Sequence, residues 1–352
     1  MAAISFFPCY ANAVSADCAV LMDAETGRLL YTKNADKRSL IASTTKILTA
    51  LIICEQCNVL DRMCIPKEAV GIEGSSMYLQ EGEILTIQEL LYGLMLHSGN
   101  DAAVALAIYC GGTVEGFTQL MNDKARQLNM QDSHFSNPHG LDAPDHYSTA
   151  RDMAVLTAYA MKNPIFAKTV STKSVRISNR SLRNHNKLLW QMEGVDGVKT
   201  GYTKAAGRIL VSSATRQGRR LVAVTINDAN DWKDHISLLE KGFSNYAVES
   251  VISAGEQLGW VEVLSGDISR IPVCTTNGFS YPLSQDETVQ IIVQAPEFAY
   301  APIAAGQIAG TAYILIDGTV VGKVPVCYAQ TTEISREQPQ PFYRRLLRGG
   351  GS

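Results

Sequence analysis

Three short polar motifs, Ser43-Thr44-Thr45-Lys46, Ser98-Gly99-Asn100 and Lys199-Thr200-Gly201, lie far apart in a chain of 352 residues and constrain its fold more than any other feature. They can share one chemistry only if a helix start, an interhelical loop and a strand meet. Ser43 and Lys46 are three residues apart, and an i, i+3 pair on a helix faces one way, so the amine can reach the hydroxyl. A serine hydroxyl needs a base. Lysine has a pKa of about 10.4 in water, but burial and a second cation lower it until a neutral amine can take the serine proton. Lys199 is the candidate second cation, and the helix N-terminus adds a positive end and backbone N–H groups near a reacting carbonyl. Ser98 can relay a proton to a leaving amine, and the Asn100 amide can bond a substrate peptide group. Lys199 and Thr200 offer a cation and a hydroxyl to a terminal carboxylate, and Gly201 lets a substrate backbone pair along the strand edge. Each motif is common by chance; together they describe acyl transfer from a peptide with a free C-terminus.

The surrounding periodicity predicts an α+β fold. Ala19-Val20-Leu21-Met22 and Arg28-Leu29-Leu30-Tyr31 flank a turn at Gly27 and read as a hairpin, as do Arg208-Ile209-Leu210-Val211-Ser212 and Leu221-Val222-Ala223-Val224-Thr225-Ile226. Helical spacing over 43–57 predicts a helix with one face in the core, and two more, 86–96 and 102–109, flank the polar break His97-Ser98-Gly99-Asn100-Asp101. Ser148 or Thr149 is placed to cap a helix starting near Arg151. The expected result is an antiparallel sheet flanked by helices over 16–250. Beyond it, short strands and the turn Asp317-Gly318 predict a small all-β domain over 251–330. Residues 331–352 read as a linker ending in a basic, aromatic and apolar segment, 342–348, of the kind that lies on a membrane surface. Residues 1–15 read as a signal-peptide remnant or a disordered extension, the export reading resting on Ala11-Asn12-Ala13.

Charge and cysteine content exclude other classes. Lys and Arg number 31 against 34 Asp and Glu, so there is no basic field to recruit nucleic acid. No run of some 18 apolar residues is present to span a membrane. Cys54-x-x-Cys57 with Cys64 has no second pair to complete a zinc site, and buried free thiols are expected instead. His134, His139, Asp142, Asp145 and His146 crowd one segment without an HExxH pattern, which makes a zinc peptidase a rival and no metal or other cofactor the expectation.

Through Ala42-Ser43-Thr44-Thr45-Lys46, Leu96-His97-Ser98-Gly99-Asn100-Asp101-Ala102-Ala103, Asn137-Pro138-His139-Gly140-Leu141, His146-Tyr147-Ser148-Thr149-Ala150 and Gly197-Val198-Lys199-Thr200-Gly201-Tyr202-Thr203, the chain resembles a family. It is that of the low-molecular-mass penicillin-binding proteins, serine-type D-alanyl-D-alanine carboxypeptidases. The resemblance extends over about residues 16–348. It implies a penicillin-binding, β-lactamase-like catalytic domain that removes the terminal D-alanine from peptidoglycan stem pentapeptides outside the cytoplasmic membrane, through an acyl-enzyme that β-lactam antibiotics mimic. It also implies peripheral membrane contact through a C-terminal amphipathic helix, of which 342–348 looks like the beginning. Carried over residue by residue, it makes Ser43 the nucleophile, Lys46 the base and Ser98 with Asn100 the second motif. Lys199, Thr200 and Gly201 match the third, and the backbone N–H groups of Ser43 and Tyr202 form the oxyanion hole. Two alternatives stand beside it. A class A-like β-lactamase would need a deacylating glutamate, yet none lies between Glu115 and Glu193, and Ser-Gly-Asn stands where that class has Ser-Asp-Asn. A non-catalytic wall-binding protein would have no use for an intact Ser43 and Lys46.

Overall fold

A computed structural model describes residues 14–335. The residues before and after, with the expected signal remnant and membrane segment, lie outside the described part. The chain divides into two compact units, with the division between Ser244 and Asn245. It falls ahead of the position near 250 suggested by composition, because the strand Ala247–Ile252 already pairs within the second unit.

The first unit begins with β1 (Cys18–Asp23) and β2 (Leu29–Lys33), followed by a 3-10 turn, Ala42–Thr45, and α1 (Lys46–Gln56). Two short strands, β3 (Arg62–Cys64) and β4 (Ile84–Thr86), precede α2 (Ile87–Leu96), α3 (Asn100–Gly111) and α4 (Val114–Gln127). Then come α5 (Ala150–Ala160), α6 (Pro164–Ser171), the hairpin β5 (Ser174–Ile177) and β6 (Arg180–Arg183), and α7 (Leu188–Gln191). The strands β7 (Val195–Thr203), β8 (Gly207–Arg216) and β9 (Arg219–Ile226) lead into α8 (Asp231–Asn245).

One antiparallel sheet, in the order β2-β1-β9-β8-β7, organises the unit. Both faces of its central strands are covered, so their middle residues are buried on either side, the small polar Ser212, Ser213 and Thr225 among them. Val20, Met22, Val211, Val222 and Val224 point to the helical layer around α1, while Ala19, Leu21, Ala214 and Ala223 meet Leu238 and Leu239 of α8. Period-two alternation thus feeds two cores. The chain leaves β7 at the rim, with β8 on one side only.

Local signals set the helix ends. Thr86 and Glu89 form a capping box at α2, and the Thr149 hydroxyl accepts from the Asp152 N–H at 3.0 Å to start α5. Two expectations need correction. Every residue of α1 from Lys46 to Cys54 is buried, so this helix runs through the core instead of showing it one face, and Ser43 precedes it in the 3-10 turn. The helix α3 begins at Asn100, not Ala102: Ser98 takes a left-handed conformation, Gly99 is the cap, and Asp101 joins the first turn, where a carboxylate suits the helix dipole. Of the expected buried thiols in the zinc-like segment only Cys54 is buried; Cys57 is half-buried and Cys64 is exposed on β3.

The second unit is all β. Its strands are β10 (Ala247–Ile252), β11 (Gln257–Leu264), β12 (Arg270–Thr275), β13 (Phe279–Leu283), β14 (Val289–Gln294), β15 (Phe298–Tyr300), β16 (Ile308–Ile316) and β17 (Thr319–Tyr328). Six form one sheet, β14-β16-β17-β12-β11-β15, and β10 pairs with β13. The turn between β16 and β17 is Asp317-Gly318, both at positive φ, which matches the right-handed twist of a two-residue hairpin.

Candidate active site

The three motifs converge. Ser43 in the 3-10 turn, Ser98 between α2 and α3, and Thr200 and Gly201 on the rim strand β7 line one cleft of about 500 Å³. Ala42 and Ser98 have φ of 45° and 64°, left-handed values that cost a non-glycine residue of order 1 kcal/mol and here flank the reactive groups.

Lys46 has no exposed surface. Its Nζ lies 3.0 Å from Ser43 Oγ, 2.6 Å from Asn100 Oδ1 and 2.7 Å from the His139 carbonyl oxygen. Nζ donates in all three contacts: the serine hydroxyl oxygen, the amide oxygen and the backbone carbonyl oxygen accept. Burial drives the Lys46 pKa well below the usual lysine value, the Lys199 charge pushes it further down, and Asp101 opposes them.

Asn100 is 3% exposed and turned inward. Besides accepting from Lys46, it donates through Nδ2 to the Glu73 carbonyl at 2.5 Å, and its backbone N–H donates to Ser75 at 2.7 Å. Its amide therefore orients Lys46 and the 73–75 loop, where sequence reasoning expected it to meet substrate. Asp101 is equally engaged. Its carboxylate accepts from Ser76 Oγ at 2.6 Å and from the backbone N–H groups of Met77 and Leu79, both at 3.1 Å.

Lys199 is 2% exposed, donates to the Thr200 carbonyl at 2.8 Å, and has its pKa lowered by burial to about 7. Next to it, a Cβ at Gly201 would sit 3.3 Å from the Ser43 nitrogen and 3.3 Å from the Ile41 carbonyl oxygen, so a glycine lets β7 press against the 3-10 turn. This close approach brings the Ser43 amide beside the strand that carries Tyr202. The Tyr202 side chain itself is 64% exposed. Opposite it in register stands Arg208, held by Asp231 through contacts of 2.7 to 3.1 Å, and both line the cleft with Trp232.

Sequence reasoning missed how the histidine-rich segment serves the site. The Ser136 N–H donates to His146 Nδ1 at 3.1 Å, which leaves the proton on Nε2, facing Thr45 Oγ1 at 2.7 Å; Thr45 in turn donates to the Ala42 carbonyl at 2.8 Å. The same segment supplies the His139 carbonyl to Lys46. Burial lowers the pKa of His139 to about 3 and of His146 to about 4, so both are neutral near pH 7. His139 Nδ1 accepts from the Leu141 N–H at 3.2 Å, His134 Nδ1 meets the Asp145 carbonyl at 2.5 Å, and Thr203 donates to Asp142 at 3.1 Å. These groups serve the segment itself, and among the described residues no cluster of three or more His, Cys, Asp or Glu is placed to hold a metal.

The profile of the family described as D-alanyl-D-alanine carboxypeptidase matches residues 7–230, and that of the penicillin-binding protein 5 C-terminal domain matches 246–333. The D-alanyl-D-alanine carboxypeptidase DacF of Bacillus subtilis is 32% identical over 327 residues, covering 88% of this chain and 84% of the relative. DacD of Escherichia coli is 34% identical, over 83% and 80%. Penicillin-binding protein 5 of Haemophilus influenzae superposes with a TM-score of 0.78 at 29% identity, covering 91% of this chain and 98% of that one. With a profile spanning most of the chain and relatives matched nearly end to end, the chain belongs to the D-alanyl-D-alanine carboxypeptidase family.

Proposed function

We propose that the protein is a serine-type D-alanyl-D-alanine carboxypeptidase that removes the terminal D-alanine from peptidoglycan stem pentapeptides through an acyl-enzyme on Ser43, and that β-lactam antibiotics acylate the same serine. The observation that carries this reading is the buried Lys46 amine 3.0 Å from Ser43 Oγ, its pKa driven well below the usual lysine value by burial and by the Lys199 charge. The substrate backbone adds to the free edge of β7, and its terminal carboxylate lies toward Thr200, with Lys199 beneath and Lys187 and Arg208 at the cleft wall. Lys46 takes the Ser43 proton as Oγ attacks the carbonyl carbon. The N–H groups of Ser43 and Tyr202 receive the developing oxyanion, and Ser98 passes the proton to the departing D-alanine amine. Water then hydrolyses the ester. The substrate implies work at the wall, outside the cytoplasmic membrane, with residues 342–348 as a peripheral membrane contact.

The test is a mass spectrum after incubation with labelled penicillin, beside D-alanine release from a pentapeptide with and without chelator. A single adduct on Ser43, absent from Ser43→Ala, and release insensitive to chelator are expected. Lys46→Ala should bind substrate and lose about 10²- to 10⁴-fold in acylation, the contribution of a positioned base. Chelator-sensitive release that survives Ser43→Ala would move the chemistry to a metal, and normal acylation by Lys46→Ala would remove Lys46 as the base.

A further inference from the structure

Cys57 caps the C-terminal end of α1, and Cys110 lies in the last turn of α3. The opposite ends of these two helices carry Lys46 and Asn100, which meet at 2.6 Å, so α1 and α3 touch at both ends. Both cysteines are half-buried and pack against the same core. Cys110 Sγ donates to Oε1 of Gln56, the residue before Cys57, at 3.5 Å, and the Cys57 thiol donates to the Cys110 sulfur. Beside Cys110, the Tyr109 hydroxyl donates to Asp61 Oδ2 at 2.9 Å and ties the turn after Cys57 to α3 a second time.

The local surroundings give the thiols different chemistry. The hydrogen bond from Cys57 lowers the Cys110 pKa against the effect of burial. Cys57 holds the proton of that bond and is partly withdrawn from water, which pushes its own pKa up. Cys54, one turn earlier on α1 and buried, is pushed up to about 12 by burial and by the Glu55 charge. The thiolate is the attacking form, so Cys110 reacts first, Cys57 resolves, and Cys54 stays protonated.

We propose that Cys57 and Cys110 are a redox-active pair, and that a low-molecular-mass disulfide converts them to a cross-link stapling the C-terminal ends of α1 and α3. The Cys110 thiolate bonds to one sulfur of the oxidant, whose S–S bond breaks and whose other half leaves as a thiolate. Cys57 then gives up its proton and bonds to Cys110 Sγ, releasing the second half. Two protein thiols are oxidised, one oxidant disulfide is reduced to two thiols, and the two protons lost by the protein end on them. The sulfurs are already neighbours, so reaching a bond of about 2.05 Å asks for side-chain rotation more than for backbone movement. The bond closes the long loop from 57 to 110, and a long loop is where a cross-link restricts the unfolded chain most. At about 1.5 Å per residue it lies about 15 Å along α1 from Lys46, which leaves the acylating groups undisturbed. The location outside the cytoplasmic membrane proposed above is one where such a bond persists.

The experiment treats the full chain with oxidised glutathione or with dithiothreitol, alkylates the free thiols and reads the digest by mass spectrometry, beside a circular dichroism melt and the penicillin acylation rate. The oxidised protein should contain a peptide pair joined through Cys57 and Cys110, melt about 5 °C or more above the reduced protein, and acylate within about twofold of it. Cys57→Ser and Cys110→Ser should each abolish the rise in melting temperature. Cys57→Ser should also hold glutathione on Cys110, and Cys110→Ser should hold none on Cys57. Both thiols still free after oxidation, or a joined pair that melts no higher, would overturn the proposal. Cys274 and Cys327 stand opposite each other in register on β12 and β17, and a rise that survives both variants would assign the effect to them instead.

Discussion

Lys46 and Lys199 are both withdrawn from water, and neither has a carboxylate within ion-pair distance among the described residues. Their chemistry depends on this, and so does a cost in stability. For a lysine whose folded-state pKa is depressed, the unfolded chain binds the proton first as the pH drops. The penalty for Lys199 therefore accrues from its ordinary 10.5 down to about 7 and is complete below that, at about 5 kcal/mol. Lys199→Met should melt several degrees higher than the native protein at pH 6, with the difference closing toward pH 10, while losing acylation; a calorimetric scan at the two pH values checks it. A variant that melts no higher at pH 6 contradicts this burial cost. The two lysines also set the rate profile. Acylation should rise with pH as Lys46 loses its proton and fall above about 7 as Lys199 loses its charge in the free enzyme. Lys199→Arg, which keeps its charge, should carry the falling limb to higher pH, as measured by penicillin acylation rates from pH 5 to 10. A falling limb unmoved by that change would assign it to another group.

At the scale of elements, the site depends on the fit between the 3-10 turn and the 137–141 segment. Gly140 sits at φ 90°, where a Cβ would come within 1.9 Å of the Ala42 carbonyl oxygen, so any side chain there must push the segment off the turn. The His139 carbonyl would then leave Lys46. Gly140→Ala should fold, keep most of its melting temperature and lose about 10²-fold or more in acylation, because a displacement near 1 Å at a reacting pair has that effect. Acylation at the native rate would show that the segment is a bystander. This contact marks the limit of what the sequence discloses. The hairpins, the cap at Thr149 and the Asp317-Gly318 turn were legible because each depends on residues close together in the chain. The spacing of Ser43 and Lys46 was legible for the same reason. The His139 ligand to Lys46 was not, since any residue has a carbonyl, and neither was the chain from Ser136 through His146 to Thr45, which joins positions about a hundred residues apart. Asn100 was found, but its contact with Lys46 was not, because the helix starts two residues earlier than the spacing suggested and turns the amide toward the core.

At the scale of the whole molecule, every group in the proposed mechanism belongs to the first unit. Where that unit can be cut is a matter of packing. The family profile ends at residue 230, but the face of the sheet carrying Ala19, Leu21 and Ala223 is covered by Leu238 and Leu239 of α8. His235 of the same helix is fully buried, facing the Ser212 hydroxyl at 2.6 Å and the Thr225 hydroxyl at 3.0 Å. Each leucine contributes about 1.5–3 kcal/mol by leaving water, and removing the helix would also strand two buried hydroxyls. A chain ending at Asn245 should therefore fold and acylate with penicillin within about twofold of the full chain, whereas one ending at Asn230 should be insoluble or unreactive. Circular dichroism melts and labelled penicillin on both truncations decide the matter: an inert Asn245 product would tie catalysis to the β unit, and an active Asn230 product would make α8 dispensable.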